Sequence, residues 1–87
     1  MSYWQIFFSD DADSDLSKLT KTVRNRVIEK LEWLSSNFDS VTPMPLTGSF
    51  SGFYKLRIGD WRVIYEIDWE DNKIIVVVVK HRSDVYK

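Results

Sequence analysis

Three cationic side chains lie close together in the stretch FYKLRIGDWRVIYEI, residues 53–67. Lys55 and Arg57 precede a Gly-Asp pair, and Arg62 follows it. Side chains alternate along a strand, so all three project from one sheet face if the apolar residues of both strands share the other. Arginine offers a planar fork to an anion and lysine a point charge, so the group could hold a phosphate. A solvated sheet face is the ordinary alternative, but it usually mixes signs, and like charges on neighbouring strands repel.

The second half of the chain predicts three antiparallel strands that carry these cations. Their expected bounds are Phe53–Ile58, Asp60–Asp68 and Lys73–His81. A Gly-Asp hairpin joins the first two strands, and Asp71 and Asn72 supply turn chemistry between the last two. The run IIVVVV, residues 74–79, is apolar throughout, which predicts a central strand covered on both faces. Beyond it, Lys80 and Arg82 should project alike, with His81 opposite, if the strand stays regular.

The first half of the chain predicts a strand followed by two helices. Residues 3–9 are aromatic and β-prone, and Ser9 or Asp10 should cap a short helix from about 11 to 19. A second helix is indicated by an apolar stripe at steps of three and four: Val23, Val27, Leu31, Leu34 and Phe38. Residues 39–51 are rich in Pro, Gly and Ser/Thr and predict a loop.

The predicted order is β-α-α-β-β-β, which places the chain in the α+β class. An N-terminal strand, an antiparallel helical hairpin and a three-stranded antiparallel meander form one small, twisted, mostly antiparallel sheet with the helices on one face. A chain of 87 residues supports a single domain, residues 1–87. Trp61 should lie under the helices.

Composition narrows the possible functions. The chain has no cysteine, which excludes a disulfide framework and a thiolate metal site, and neither a secretory signal nor a bilayer-spanning run is visible. We therefore expect a soluble cytoplasmic protein without a membrane partner. A net charge of −1 counts against a general nucleic-acid binder. The charges are uneven, however, since four aspartates crowd residues 10–15 and five cations follow in residues 18–30, so a near-neutral sum can hide a basic groove.

The motif YKLRIGDWRVIYEID, followed after a turn by IIVVVVKHRSDVY, resembles the RelE/ParE toxin superfamily of bacterial toxin–antitoxin modules. Residues 53–87 match the superfamily pattern nearly element by element, and the first half matches in layout. The resemblance implies a small twisted sheet with a helical hairpin and leaves three functions open. RelE-like members cut mRNA in the ribosomal A site, and ParE-like members bind DNA gyrase without the endonuclease residues. A third possibility is an inactive module that binds an antitoxin and represses transcription with it.

The resemblance also implies which residues act. Matched by motif, the active positions fall on Lys55, Arg57, Arg62, Arg82 and Tyr86. All five carry competent groups, which favours the nuclease over the gyrase inhibitor. The chain departs from the pattern where Arg57 replaces a lysine of the best-known members and where a motif glycine is Lys80.

If the protein is a nuclease, the RNA 2′-hydroxyl attacks the adjacent phosphate. The protein must then accept a proton, stabilise a dianionic phosphorane and protonate the leaving 5′-oxygen. The phosphate would be held by Arg57, Arg62 and Arg82. Tyr86 or Lys55 is the candidate base, since neighbouring cations favour loss of a proton from either group. His81 is better interpreted as structural or partner-facing, and no metal or cofactor is required.

Partners follow from the same resemblance. It implies mRNA, the ribosome and a cognate antitoxin, with a possible toxin–antitoxin hetero-oligomer that binds operator DNA. An acidic antitoxin segment could dock on the basic second helix at Lys21, Arg24 and Arg26. A solvated helix face explains those three residues equally well.

Overall fold

The computed structural model describes residues 3–84. In chain order the elements are β1 (Gln5–Phe8), α1 (Asp10–Ser17), α2 (Lys21–Asn37), β2 (Met44–Pro45), β3 (Tyr54–Ile58), β4 (Trp61–Asp68) and β5 (Lys73–His81). Short 3-10 turns lie at Phe38–Ser40 and Gly48–Phe50. Over the described range, neither helix is long and apolar enough to cross a lipid bilayer.

The five strands form one mixed sheet in the order β1-β5-β4-β3-β2. β1 runs parallel to β5, and every other pair is antiparallel. The predicted α+β architecture and the interior position of the last strand are confirmed. The prediction of a loop over residues 39–51 is wrong at two residues. Met44 and Pro45 pair with β3 as a short edge strand. An edge position tolerates proline, since one side of the strand needs no N–H donor.

Both helices begin at residues with short hydroxyl side chains. The Ser9 hydroxyl accepts a hydrogen bond from the Ala12 N–H at 3.1 Å, and the Thr20 hydroxyl accepts one from the Val23 N–H at 3.3 Å. Each bond satisfies a first-turn N–H that lacks a partner within the helix. The predicted cap at Ser9 is therefore confirmed, and α1 follows β1 with no intervening loop.

The hydrophobic core lies between the two helices and one sheet face. Val27, Leu31 and Leu34 of α2 are buried there with Ala12 and Leu16 of α1. The β3–β4 register pairs the apolar sets predicted to share this face: Tyr54 with Tyr65, Leu56 with Val63, and Ile58 with Trp61. The opposite sheet face, called here the outer face, therefore carries the cations.

A β-bulge at Val77 changes which residues of β5 reach the outer face. Tyr65 pairs with Val76 and the preceding Ile64 pairs with Val78, so Val77 is the extra residue. Val76 and Val79 are both buried in the core as a result. Strict alternation from Val76 would turn Lys80 toward the helices, but the bulge places it on the outer face.

Replacing Gly59 by alanine should destabilise the protein by about 1 kcal/mol, because left-handed backbone crowds a side chain. Gly59 opens the two-residue β3–β4 turn with φ +57°, and a Cβ there would lie 3.3 Å from a guanidinium nitrogen of Arg26. Urea unfolding measures the loss, with Ser36→Ala on the exposed side of α2 as a control that stays within about 0.5 kcal/mol. Equal midpoints for both variants would contradict the role of the turn.

Candidate functional site

Three cations lie side by side across the last three strands. Arg57 pairs with Arg62 in the β3–β4 register, and Arg62 pairs with Lys80 in the β4–β5 register. Neighbouring strands are about 4.8 Å apart, so these residues, called here the basic row, span roughly 10 Å of backbone. Lys55 lies on the same face, two residues from Arg57, and pairs with Ile64. Directly opposed like charges are unfavourable, which marks this end of the face as suited to an anion.

The middle of the outer face is covered, and the end that carries the basic row is open. Ile64 also projects from this face, yet it is only 1% exposed and lies outside the main core cluster. It lines a hollow of about 340 Å³ together with Phe50 and Phe53. The segment around the 3-10 turn at Gly48–Phe50 therefore covers the middle of the face.

Backbone carbonyls of the β3–β4 turn hold the guanidinium of Arg62. Its Nη1 donates to the Gly59 carbonyl at 2.9 Å and to the Trp61 carbonyl at 3.0 Å. Those bonds occupy one nitrogen and leave the rest of the fork for an anion. Arg57 is exposed, and among the described residues neither it nor Lys55 has a side-chain hydrogen bond or ion pair. The structure thus brings Lys55, Arg57 and Arg62 together, as predicted.

Arg82 reaches the same end of the sheet through a turn, because β5 ends at His81. Its N–H donates to the Asp60 carbonyl at 2.7 Å, and its Nε lies 3.7 Å from the Asp60 carboxylate. Both side chains are exposed, so the ion pair contributes little, and the backbone bond fixes the position. Strand alternation, which led us to expect Lys80 and Arg82 to project alike, does not extend to Arg82.

Lys80 is held by a carboxylate from α1. Its Nζ donates to Asp15 Oδ1 at 2.7 Å, while Asp15 Oδ2 accepts the Val79 N–H at 3.0 Å. The hydrogen bond to Asp15, and then the charge of that carboxylate, raise the pKa of Lys80. Lys80 departs from the family motif, and its contact with Asp15 was not predicted from the sequence. No acid lies within the row itself, but Asp15 and Asp60 supply carboxylates from outside the sheet face.

Two further predicted residues lie near or beyond the described site. His81 packs edge-on against the Trp61 ring at a centroid distance of 5.4 Å, and its Nδ1 lies 2.9 Å from the Ser83 hydroxyl. These contacts are on the helix side of the sheet and agree with the structural interpretation of His81. Tyr86 lies outside the described residues, so its position in the site stays a prediction.

A sequence model of the ParE toxin of type II toxin–antitoxin systems, parDE, matches residues 6–86. The chain belongs to this toxin family. The toxin is also 29% identical over 84 residues to toxin RelG of Mycobacterium tuberculosis, with 97% of each chain covered. The predicted membership of the RelE/ParE superfamily is therefore confirmed.

Solved structures of related toxins have the same fold. The toxin–antitoxin complex RelBE2 of Mycobacterium tuberculosis contains a chain that matches with a TM-score of 0.82 and 29% identity, covering 93% of this toxin and 100% of that chain. The isolated RelE toxin of Escherichia coli matches with a TM-score of 0.74 and 26% identity, covering 98% of this toxin and 92% of that chain. The predicted RelE-like fold is confirmed by these matches.

The cations of α2 lie on two different sides of the helix in this toxin. Arg24 lines a groove of about 690 Å³ with the apolar residues Phe8, Leu16 and Ile28. Arg26 instead lines a hollow of about 330 Å³ with Glu29, Lys30, Trp33 and Ile58. Its guanidinium reaches the Gly59 turn, next to the basic row. Arg24 and Arg26 therefore line two separate surfaces of α2.

Proposed function

We propose that this toxin is a ribosome-dependent endonuclease that cleaves mRNA in the A site and so inhibits translation. The observation that carries the proposal is the direct pairing of Arg57 with Arg62 on neighbouring strands, with Lys55 on the same face. Arg82 is fixed at the same end of the sheet by Asp60. Neighbouring cations match the charge of a phosphodiester and of the dianion formed when it is attacked.

The proposed reaction uses the RNA as its own nucleophile. The 2′-hydroxyl loses a proton to a base and attacks the adjacent phosphorus, the bond to the 5′-oxygen breaks, and that oxygen takes up a proton. The products are a 2′,3′-cyclic phosphate and a 5′-hydroxyl. Arg57, Arg62 and Arg82 would bind the non-bridging oxygens, since guanidinium forks can donate two parallel bonds to a phosphate. Because arginine stays protonated, these residues stabilise charge and do not accept the proton.

Lys55 or Tyr86 is the proposed proton acceptor. Lys55 lies on the outer face beside Arg57, and its side chain has no partner among the described residues. The buried Tyr65 is unsuited to the role, because burial and then its neighbour Tyr54 raise the pKa of its phenol to about 12. A lone base of this kind is slow by itself, so we infer that the ribosome orients the RNA and supplies much of the rate through positioning.

We also propose a cognate antitoxin as the partner that neutralises the toxin. The related RelBE2 structure from Mycobacterium tuberculosis is a toxin–antitoxin complex. An acidic antitoxin segment is expected to contact Lys21, Arg24 and Arg26, and contact at Arg26 would bring it to the basic row. We expect the hetero-oligomer to bind operator DNA and the free toxin to act in the cytoplasm, where it meets translating ribosomes.

The test is a translation reaction with a defined mRNA and purified toxin, in which new 5′ ends are mapped by primer extension. We expect discrete cuts that require ribosomes and disappear when the cognate antitoxin is added. Intact mRNA in a reaction that translates normally would overturn the proposal. Loss of gyrase supercoiling activity in a parallel assay would then favour the ParE-like alternative, and inactivity in both assays would favour an antitoxin-binding co-repressor.

A further inference from the structure

Asp15 is the one buried charged residue in the described part of the chain, and it is 7% exposed. It lies where the β1–β5 pairing stops: Phe8 and Val76 form the last pair, and α1 continues beside β5. There its carboxylate accepts the Val79 N–H, which would otherwise be an unpaired donor at the sheet edge. The same carboxylate binds Lys80. One side chain therefore closes the edge of β5 and holds a cation of the basic row.

The direction of these bonds decides where the Lys80 charge lies. Because the Val79 N–H donates to Asp15, it points to the edge occupied by α1 and away from β4. Asp15 is therefore on the side of β5 opposite Arg62. The Lys80 ammonium, 2.7 Å from this carboxylate, is drawn away from Arg62 even though the two residues are paired in register.

We propose that Asp15 is a positioning residue that holds the Lys80 ammonium at the α1 side of β5 and keeps its charge from the anion. Arg57 and Arg62 are then the residues of the basic row that contact an RNA phosphodiester, and Lys80 does not contact it. This inference rests on the proposed function for the identity of the anion. Because Asp15 neutralises one cation of the row, the site should bind RNA less tightly than its number of cations suggests. This agrees with the net charge of −1.

The test measures binding of a single-stranded 2′-O-methyl RNA oligonucleotide, which cannot be cleaved because its 2′-oxygens are blocked. Affinity is measured by fluorescence anisotropy at several salt concentrations. Asp15→Asn keeps a carbonyl oxygen for the Val79 N–H but loses the charge that holds Lys80. We expect tighter binding at low salt and a salt slope, log K against log salt, that steepens by about 0.7, the value for one added phosphate contact.

Three variants make this result specific. Asp13→Asn removes an equal charge from an exposed position on α1 and should leave the slope unchanged. Lys80→Gln should also leave the salt slope unchanged, because Asp15 already holds Lys80 away from the RNA. Adding Asp15→Asn to Lys80→Gln should then have no further effect on the slope. A slope for Asp15→Asn equal to that of Asp13→Asn would overturn the proposal. So would an Asp15→Asn effect that persists without Lys80.

The Lys80→Gln variant keeps the inference testable even if Asp15→Asn does not fold. If Lys80→Gln alone reduces the salt slope by about 0.7, Lys80 binds phosphate in the native toxin and the proposal is wrong. Failure of the wild-type toxin to bind the oligonucleotide would also overturn it. Mapped cuts in the translation reaction report on the endonuclease separately, so a toxin that binds RNA as expected but leaves mRNA intact would refute only the proposed function.

Discussion

Replacing Arg62 by alanine should lower the rate of mRNA cleavage by about 10²–10³-fold, the usual loss when one preorganised donor to a developing anion is removed. Arg62 is the middle residue of the basic row, paired with Arg57 on one side and Lys80 on the other. Its guanidinium is already anchored by two turn carbonyls, so little freedom is lost when a phosphate binds. The measurement is the single-turnover rate of cleavage on programmed ribosomes with toxin in excess.

Two comparisons separate charge, geometry and folding in this experiment. Arg62→Lys keeps the charge but loses the fork and the two carbonyl contacts, so its rate should lie between those of the wild type and Arg62→Ala. Lys73→Ala removes a cation at the other end of the neighbouring strand and should cleave at the wild-type rate. A wild-type rate for folded Arg62→Ala would exclude the basic row as the phosphate site, and the gyrase-inhibitor alternative would gain support.

The helices, every strand except the short β2, and the shared face of Lys55, Arg57 and Arg62 could be predicted from local patterns. The stripe through Val27, Leu31 and Leu34 repeats at the helical period, which indicates both the helix and its buried side. A Gly-Asp pair between two alternating segments indicates a hairpin and so its register. With the register known, counting along each strand gives the face of each cation, which is why their shared face was predicted correctly.

The position of Lys80 could not be predicted in the same way. Val76, Val77, Val78 and Val79 are chemically identical, so the pattern contains no sign of which one is the bulge or of which face each residue occupies. The contact that holds Lys80 joins residues 65 positions apart, since Asp15 belongs to α1. Burial of Ile64 depends on a loop whose sequence indicates only irregular structure. Long-range contacts of this kind depend on the assembled fold.

Replacing Leu31 by alanine should destabilise the free toxin by about 2–5 kcal/mol, since it removes buried methyl groups and leaves a cavity between α2 and the sheet. Leu31 is only 2% exposed. Ile28, one turn earlier on the same helix, is 37% exposed, and its replacement by alanine should cost less than about 1 kcal/mol. Urea unfolding of the two variants, followed by tryptophan fluorescence, measures the difference between an inward and an outward aliphatic residue of equal size.

The Leu31→Ala result has a consequence for the partner. A domain of this size is stable by about 5–15 kcal/mol, so the variant loses a large part of its margin and should lose cleavage activity on warming before the wild type does. A cognate antitoxin that binds only the folded toxin restores stability by mass action, by about 2.7 kcal/mol at a concentration of 100 Kd. The complex of the variant should therefore melt well above the free variant.

Equal unfolding midpoints for Leu31→Ala and Ile28→Ala would show that the apolar stripe of α2 does not form the core. A variant whose melting is unchanged by the antitoxin would show that the antitoxin does not recognise the folded domain.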